Sequence, residues 1–105
     1  MEREIQTLFE VPKPLGFTVR TTTEYWSLIE AKHPRLRGRV QDVVDTLRAP
    51  EQVCQSRQDT AVYLFYRMER MRFVCTVVKR LHSEGFLITA YPCDTIKEGN
   101  MIWPR

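Results

Sequence analysis

The chain is poor in the features that would settle its class quickly. Its three cysteines, Cys54, Cys75 and Cys93, are odd in number, far apart and without a CxxC pair, which argues against a disulfide framework. With His33 and His82 they match no zinc-ligand spacing, so buried or incidental thiols are expected and no metal. No apolar run approaches the roughly 20 residues of a membrane-spanning helix, and "MEREIQTLFE" is acidic where a signal sequence is apolar. The expectation is a cytoplasmic protein with no membrane role. A Gly-rich phosphate loop, GxSxG, HExxH and a carboxylate cluster are all missing, which removes the usual signatures of a metal-dependent nuclease and leaves no cofactor to expect. Charge of one sign is also scarce. Sixteen Lys and Arg against 13 Asp and Glu leave +3, which permits a polyanionic partner without demanding one.

What is present fits a single domain over residues 1–105, long enough for one modest core. Two helices are expected ahead of a strand-rich half. Thr21 followed by Glu24 fits a capping box, with Thr22 or Thr23 as rival caps, and Tyr25, Trp26, Leu28 and Ile29 form an apolar face that ends near Lys32, because Pro34 disfavours helical geometry at His33. A second helix is expected from about Arg37 to Leu47, where Val40, Val43, Val44 and Leu47 recur at i, i+3, i+4 and i+7.

The alternating runs at about 51–56, 61–67, 72–80 and 85–91 read as four antiparallel strands joined by short turns. A weak strand over 3–11 and another over 17–20 flank "VPKPLG", and the tail packs Ile96, Ile102 and Trp103 back onto the domain. The fold class expected is α+β, with two N-terminal helices on one face of a four-stranded antiparallel sheet, with or without a short extra N-terminal strand.

Register decides whether the polar residues of the last two strands meet. Pairing Arg80 with Phe86 through a five-residue loop puts Lys79, Thr89 and Tyr91 on the uncovered face and Val74, Val78, Phe86, Ile88 and Ala90 against the helices. The alternative, Arg80 beside Gly85, reverses this. A cation, a hydroxyl and a phenol on one face suit a phosphate and a base. Taken singly, such residues are more often a solvated edge charge, a β-former and a rim aromatic. His33, at a helix end, is either a cap or an acid–base group. "RLRGR" and "MERMR" add Arg35, Arg37, Arg39, Arg70 and Arg72 as candidate phosphate contacts.

The segments "FTVRTTTEYWSLIEAKHPRL", "VVDTLRAPEQV", "YLFYR", "FVCTVVKRL" and "GFLITAYPCDTIKEGNMIW" together resemble small bacterial and phage domains of the barnase, EndoU, tRNase-colicin and RelE-like (BECR) nuclease fold. That resemblance implies a toxin-like or phage-associated ribonuclease, with RNA on the open face of the sheet and an antitoxin or inhibitor protein as a further partner. It carries His33, Lys79, Thr89 and Tyr91 onto recurrent polar positions and aligns Tyr66–Arg67 with a Tyr-rich strand motif. Arg35 departs from the acidic residue expected after His-Pro. The implied chemistry is a metal-independent hydrolase: His33 as base for a ribose 2′-OH, Lys79 and Arg67 stabilising the phosphorane charge, Thr89 donating to a non-bridging oxygen, and Tyr91 stacking on a base or protonating the leaving group. Arg35, Arg37, Arg39, Tyr66 and Arg72 would bind RNA.

Overall fold

The computed structural model describes residues 7–11, 14–96 and 99–104. Residues 3–6 of the expected first strand lie outside that set. The order of elements is β1 (Thr7–Val11), β2 (Thr18–Thr22), α1 (Thr23–Lys32), α2 (Val40–Arg48), β3 (Gln52–Gln55), β4 (Val62–Glu69), β5 (Arg72–Leu81), β6 (Glu84–Cys93) and β7 (Asn100–Trp103). All the described strands join one seven-stranded sheet in the order β1-β2-β6-β5-β4-β3-β7. No described helix is long and apolar enough to cross a membrane.

This corrects the expected four-stranded antiparallel sheet. β1–β2 is an added antiparallel hairpin whose second strand runs parallel to β6, pairing Thr18, Val19 and Arg20 with Glu84, Gly85 and Phe86. At the opposite edge the tail does more than pack back: β7 pairs antiparallel with β3, setting Trp103 opposite Val53. The sheet is therefore mixed.

Both helices follow from local chemistry. Thr22, rather than Thr21, is the α1 cap, accepting from the Tyr25 backbone N–H at 3.1 Å, and the helix stops at His33 ahead of Pro34 as expected. α2 starts at Val40, three residues later than its expected start at Arg37, because Pro34–Leu36 forms a 3₁₀ turn and Gly38 takes φ 72°. Its buried stripe is Val43, Val44, Thr46 and Leu47, with the Thr46 hydroxyl donating to the Asp42 carbonyl at 2.7 Å.

Two cores lie on opposite faces of the sheet. On the helix side, Phe17, Val19, Leu47, Val53, Phe65 and Val78 form one cluster, continued by Trp26, Ile29, Leu36, Val43, Val74, Leu87 and Ala90. On the other side Cys54, Leu64, Tyr66 and Cys75 are buried together, with Phe73, Val77, Tyr91, Cys93 and Ile96 packed on them. That face is thus not the uncovered surface the sequence suggests: the β6–β7 connection brings Ile96 across part of it.

Candidate functional site: an imidazole–phenol corner beside a bulged strand

The β5–β6 turn takes the alternative register, Arg80 beside Gly85, in place of the five-residue loop. Leu81 pairs with Glu84 and Arg80 with Gly85, around a two-residue turn in which His82 has φ 60°. This sends Phe86 to the side of Lys79, its direct partner, and Leu87 to the side of Val78 and the helices. The expected placement of Phe86 on the helix face is corrected accordingly.

One irregularity then restores the face of the later residues. Between Val77 and Val78 the register shifts, so that Val78 faces Leu87 and Val77 faces Thr89, leaving Ile88 as the extra residue of a β-bulge. Tyr25 of α1 donates its hydroxyl to the Ile88 carbonyl at 2.6 Å, which ties the helix to the bulge. Beyond the bulge Cys75 pairs with Tyr91. Lys79, Thr89 and Tyr91 therefore share a face, although by a different route from the one expected.

Sharing a face does not bring them together. Lys79 and Cys75, the partner of Tyr91, are four residues apart on β5, about 13 Å at strand rise. The Lys79 ammonium is paired with Asp59 at 3.2 Å. Asp59 also accepts from the Ala61 backbone N–H at 2.9 Å, and that bond, followed by Lys79, holds its carboxyl below the usual value of 3.8. Thr89 lies between, with its Oγ1 buried and unpartnered.

His33 and Tyr91 do meet. Their ring centroids are 5.9 Å apart with planes at 40°, and both line an open hollow of about 390 Å³ together with Lys32, Pro34, Arg35 and Pro92. The C-terminus of α1 positions the imidazole, the 3₁₀ turn after Pro34 positions Arg35, and the bulged strand positions the phenol.

Three expected contacts fall elsewhere. Arg67 shares the helix face with Val74, donating through Nη1 to the Ala49 carbonyl at the end of α2 and through Nε to Glu69 at 2.8 Å; it cannot act with Lys79 across the sheet. Tyr66, 2% exposed, lies in the second core, where burial first and the charge of the neighbouring Cys75 next push its phenol far up; an RNA-binding role is incompatible with that burial. Arg39 is tied to Asp42 at 2.7 Å at the start of α2. Arg72 pairs with Asp94 at 3.0 Å, while Arg35 and Arg37 are exposed.

The fold also assembles a carboxylate cluster that the sequence disguises. Asp42, Asp45 and Glu69 come within 4.8 Å of one another, but Arg39 and Arg67 bind Asp42 and Glu69 and Gln41 binds Asp45. The network ties α2 to β4. Sequence reasoning missed Lys32, Arg20, Tyr25 and Phe86 as surface groups. Tyr25 lies in the apolar stripe of α1 yet is 39% exposed, and only the tight-turn register reveals Phe86, 40% exposed.

No family model, no curated protein and no solved structure matches this chain.

Proposed function

We propose that the protein is a metal-independent endoribonuclease acting in the cytoplasm, with its reacting centre at the His33–Tyr91 corner. The observation that carries this reading is the pairing of an imidazole and a phenol in one solvent-open hollow with the cations Lys32 and Arg35. His33 removes the proton from a ribose 2′-OH. The 2′ oxygen bonds to phosphorus as the bond to the 5′ oxygen breaks, and the leaving oxygen takes a proton from Tyr91 or, if the phenol stacks on a base instead, from water. Lys32 and Arg35 offset the charge on the non-bridging oxygens. The products are a 2′,3′-cyclic phosphate and a 5′-hydroxyl. The sequence resemblance to BECR nucleases and an antitoxin or inhibitor protein belong to the same proposal, while the seven-stranded mixed sheet departs from the four-stranded plan that resemblance implies.

Incubating pure protein with RNA, with and without EDTA, and analysing the ends by mass spectrometry tests it. Cyclic phosphate ends that persist in EDTA and fall at least about 100-fold in His33→Ala are expected, in line with the loss of one acid–base group. No cleavage, or cleavage abolished by EDTA, refutes it. The separation of Lys79 and Arg67 from the corner favours a second reading, in which the same basic hollow binds RNA without turnover. Salt-dependent retention of intact RNA identifies that case.

A further inference from the structure

We propose that single-stranded RNA lies along a trough between α1 and β6, with one base stacked on Phe86 at the end remote from His33. This rests on the reading that the His33 end receives a phosphate.

Three hollows make up the trough. The remote one, about 420 Å³, is lined by Arg20, Tyr25, Lys79, Leu81, Phe86 and Ile88. A middle one of about 280 Å³ shares Tyr25 and Ile88 with it, and also shares Lys32 with the hollow that holds His33 and Tyr91. Between the remote and middle hollows the Tyr25 hydroxyl reaches from α1 to the Ile88 carbonyl, so an RNA strand would pass over that bridge. From the Lys79–Phe86 pair to the Cys75–Tyr91 pair the distance along β5 is about 13 Å, some four stacked nucleotides at about 3.4 Å each.

The two ends differ in chemistry. Leu81, 52% exposed, and Phe86, 40% exposed, give the remote end an apolar surface with one aromatic ring on a rigid strand. Its cations are already matched: Lys79 by Asp59, and Arg20 by Glu84 at 2.6 Å and Glu10 at 3.9 Å. Three carboxylates against two cations disfavour a phosphate there and favour an uncharged ring. Lys32 and Arg35 give the other end a positive field. A strand of alternating rings and phosphates satisfies both ends at once, whereas an acidic peptide is repelled from the first and a purely apolar ligand leaves the second unused.

The test uses a labelled hexanucleotide fully 2′-O-methylated, so that it lacks the attacking hydroxyl and binding is read apart from cleavage. Fluorescence anisotropy is expected to show binding that Phe86→Ala weakens about 10-fold and Phe86→Tyr retains, as base–aromatic stacking implies. An abasic residue at one position of the hexanucleotide should weaken wild type to the same degree and leave Phe86→Ala no weaker. Circular dichroism melts confirm that each variant folds. Equal binding by wild type and Phe86→Ala overturns the trough, as does cleavage of natural RNA with no hexanucleotide binding; the catalytic reading survives either result. Phe86-dependent binding without any cleavage of natural RNA upholds the trough and ends the catalytic reading.

Discussion

Replacing Gly85 by alanine probes the place where the added β1–β2 hairpin joins the sheet. Gly85 pairs with Val19 on one side and Arg80 on the other. A Cβ added there meets Phe17 ring carbons at 2.7 and 2.9 Å and a Val78 methyl at 2.9 Å. Ordinary contacts begin near 3.4 Å, so the neighbours must retreat by about half an ångström or more. They have little room: Phe17 is 2% exposed and Val78 is fully buried. Moving the Phe17 ring also disturbs its contact with Arg80, whose guanidinium carbon is 4.8 Å from the ring centroid. Overpacking of this kind costs about 1–3 kcal/mol. For a domain of this size that is a drop in melting temperature of about 4–8 °C per kcal/mol. Urea and thermal unfolding of Gly85→Ala measure it, and Phe17→Leu in the same chain should return part of the loss. Unchanged stability of Gly85→Ala would refute the packing described for β2 on β6.

Three further outcomes are expected. Tyr66 keeps its proton in the folded chain well above pH 10, while the unfolded phenol loses it near 10; stability held below that pH is lost as pH rises, at about 1.4 kcal/mol per unit. Tyr66→Phe should flatten the alkaline limb of a denaturant-midpoint profile by that one proton. Asp59 works in the opposite direction: its lowered pKa gives a contribution complete at neutral pH and lost as pH falls below 3.8, so Asp59→Asn should flatten the acid limb of the same profile. Tyr25→Phe removes the donor to the Ile88 carbonyl and should cost about 1 kcal/mol in unfolding experiments, since the partly exposed carbonyl recovers water.

Much of the element order is legible in the sequence because each segment carries its own period. The valine–leucine stripe of α2, the α1 stop before Pro34 and the runs that became β3 to β6 are local patterns, and they appear within a few residues of where the pattern puts them. Nonlocal pairing is different. Nothing in "FTVR" announces a parallel partner more than sixty residues away, and "NMIW" is too short to alternate visibly, so neither β2's neighbour nor the strand character of β7 is legible in the sequence. The turn at His82 misleads for a separate reason: a left-handed residue there is normally glycine or asparagine, and histidine gives little warning of a two-residue hairpin. Of the candidate site, the His33–Tyr91 pairing is assembled, while Arg67 goes to the helix side, a face the alternation of β4 leaves undetermined until the sheet is assembled. Tyr66 disappears into a second core with Cys54, Leu64 and Cys75, a face that strand alternation alone leaves open to solvent.

The Ile88 bulge decides which face the later residues of β6 take. The short turn fixes Leu87 against Val78, which buries it beside Trp26 and Ile29. Continued without interruption, that register would set Thr89 opposite Thr76 and Tyr91 opposite Val74, driving a phenol into the helix-side core and lifting Ala90 to the other face. One additional residue reverses every later position, so Ala90 fills the tight space under the helices and Tyr91 emerges beside His33. At the bulge α1 supplies the Tyr25 hydroxyl to the Ile88 carbonyl, which pins the helix to the strand at that point. The imidazole at the end of that helix and the phenol at the end of that strand are thus set in register by a single β-bulge and the side chain that holds it.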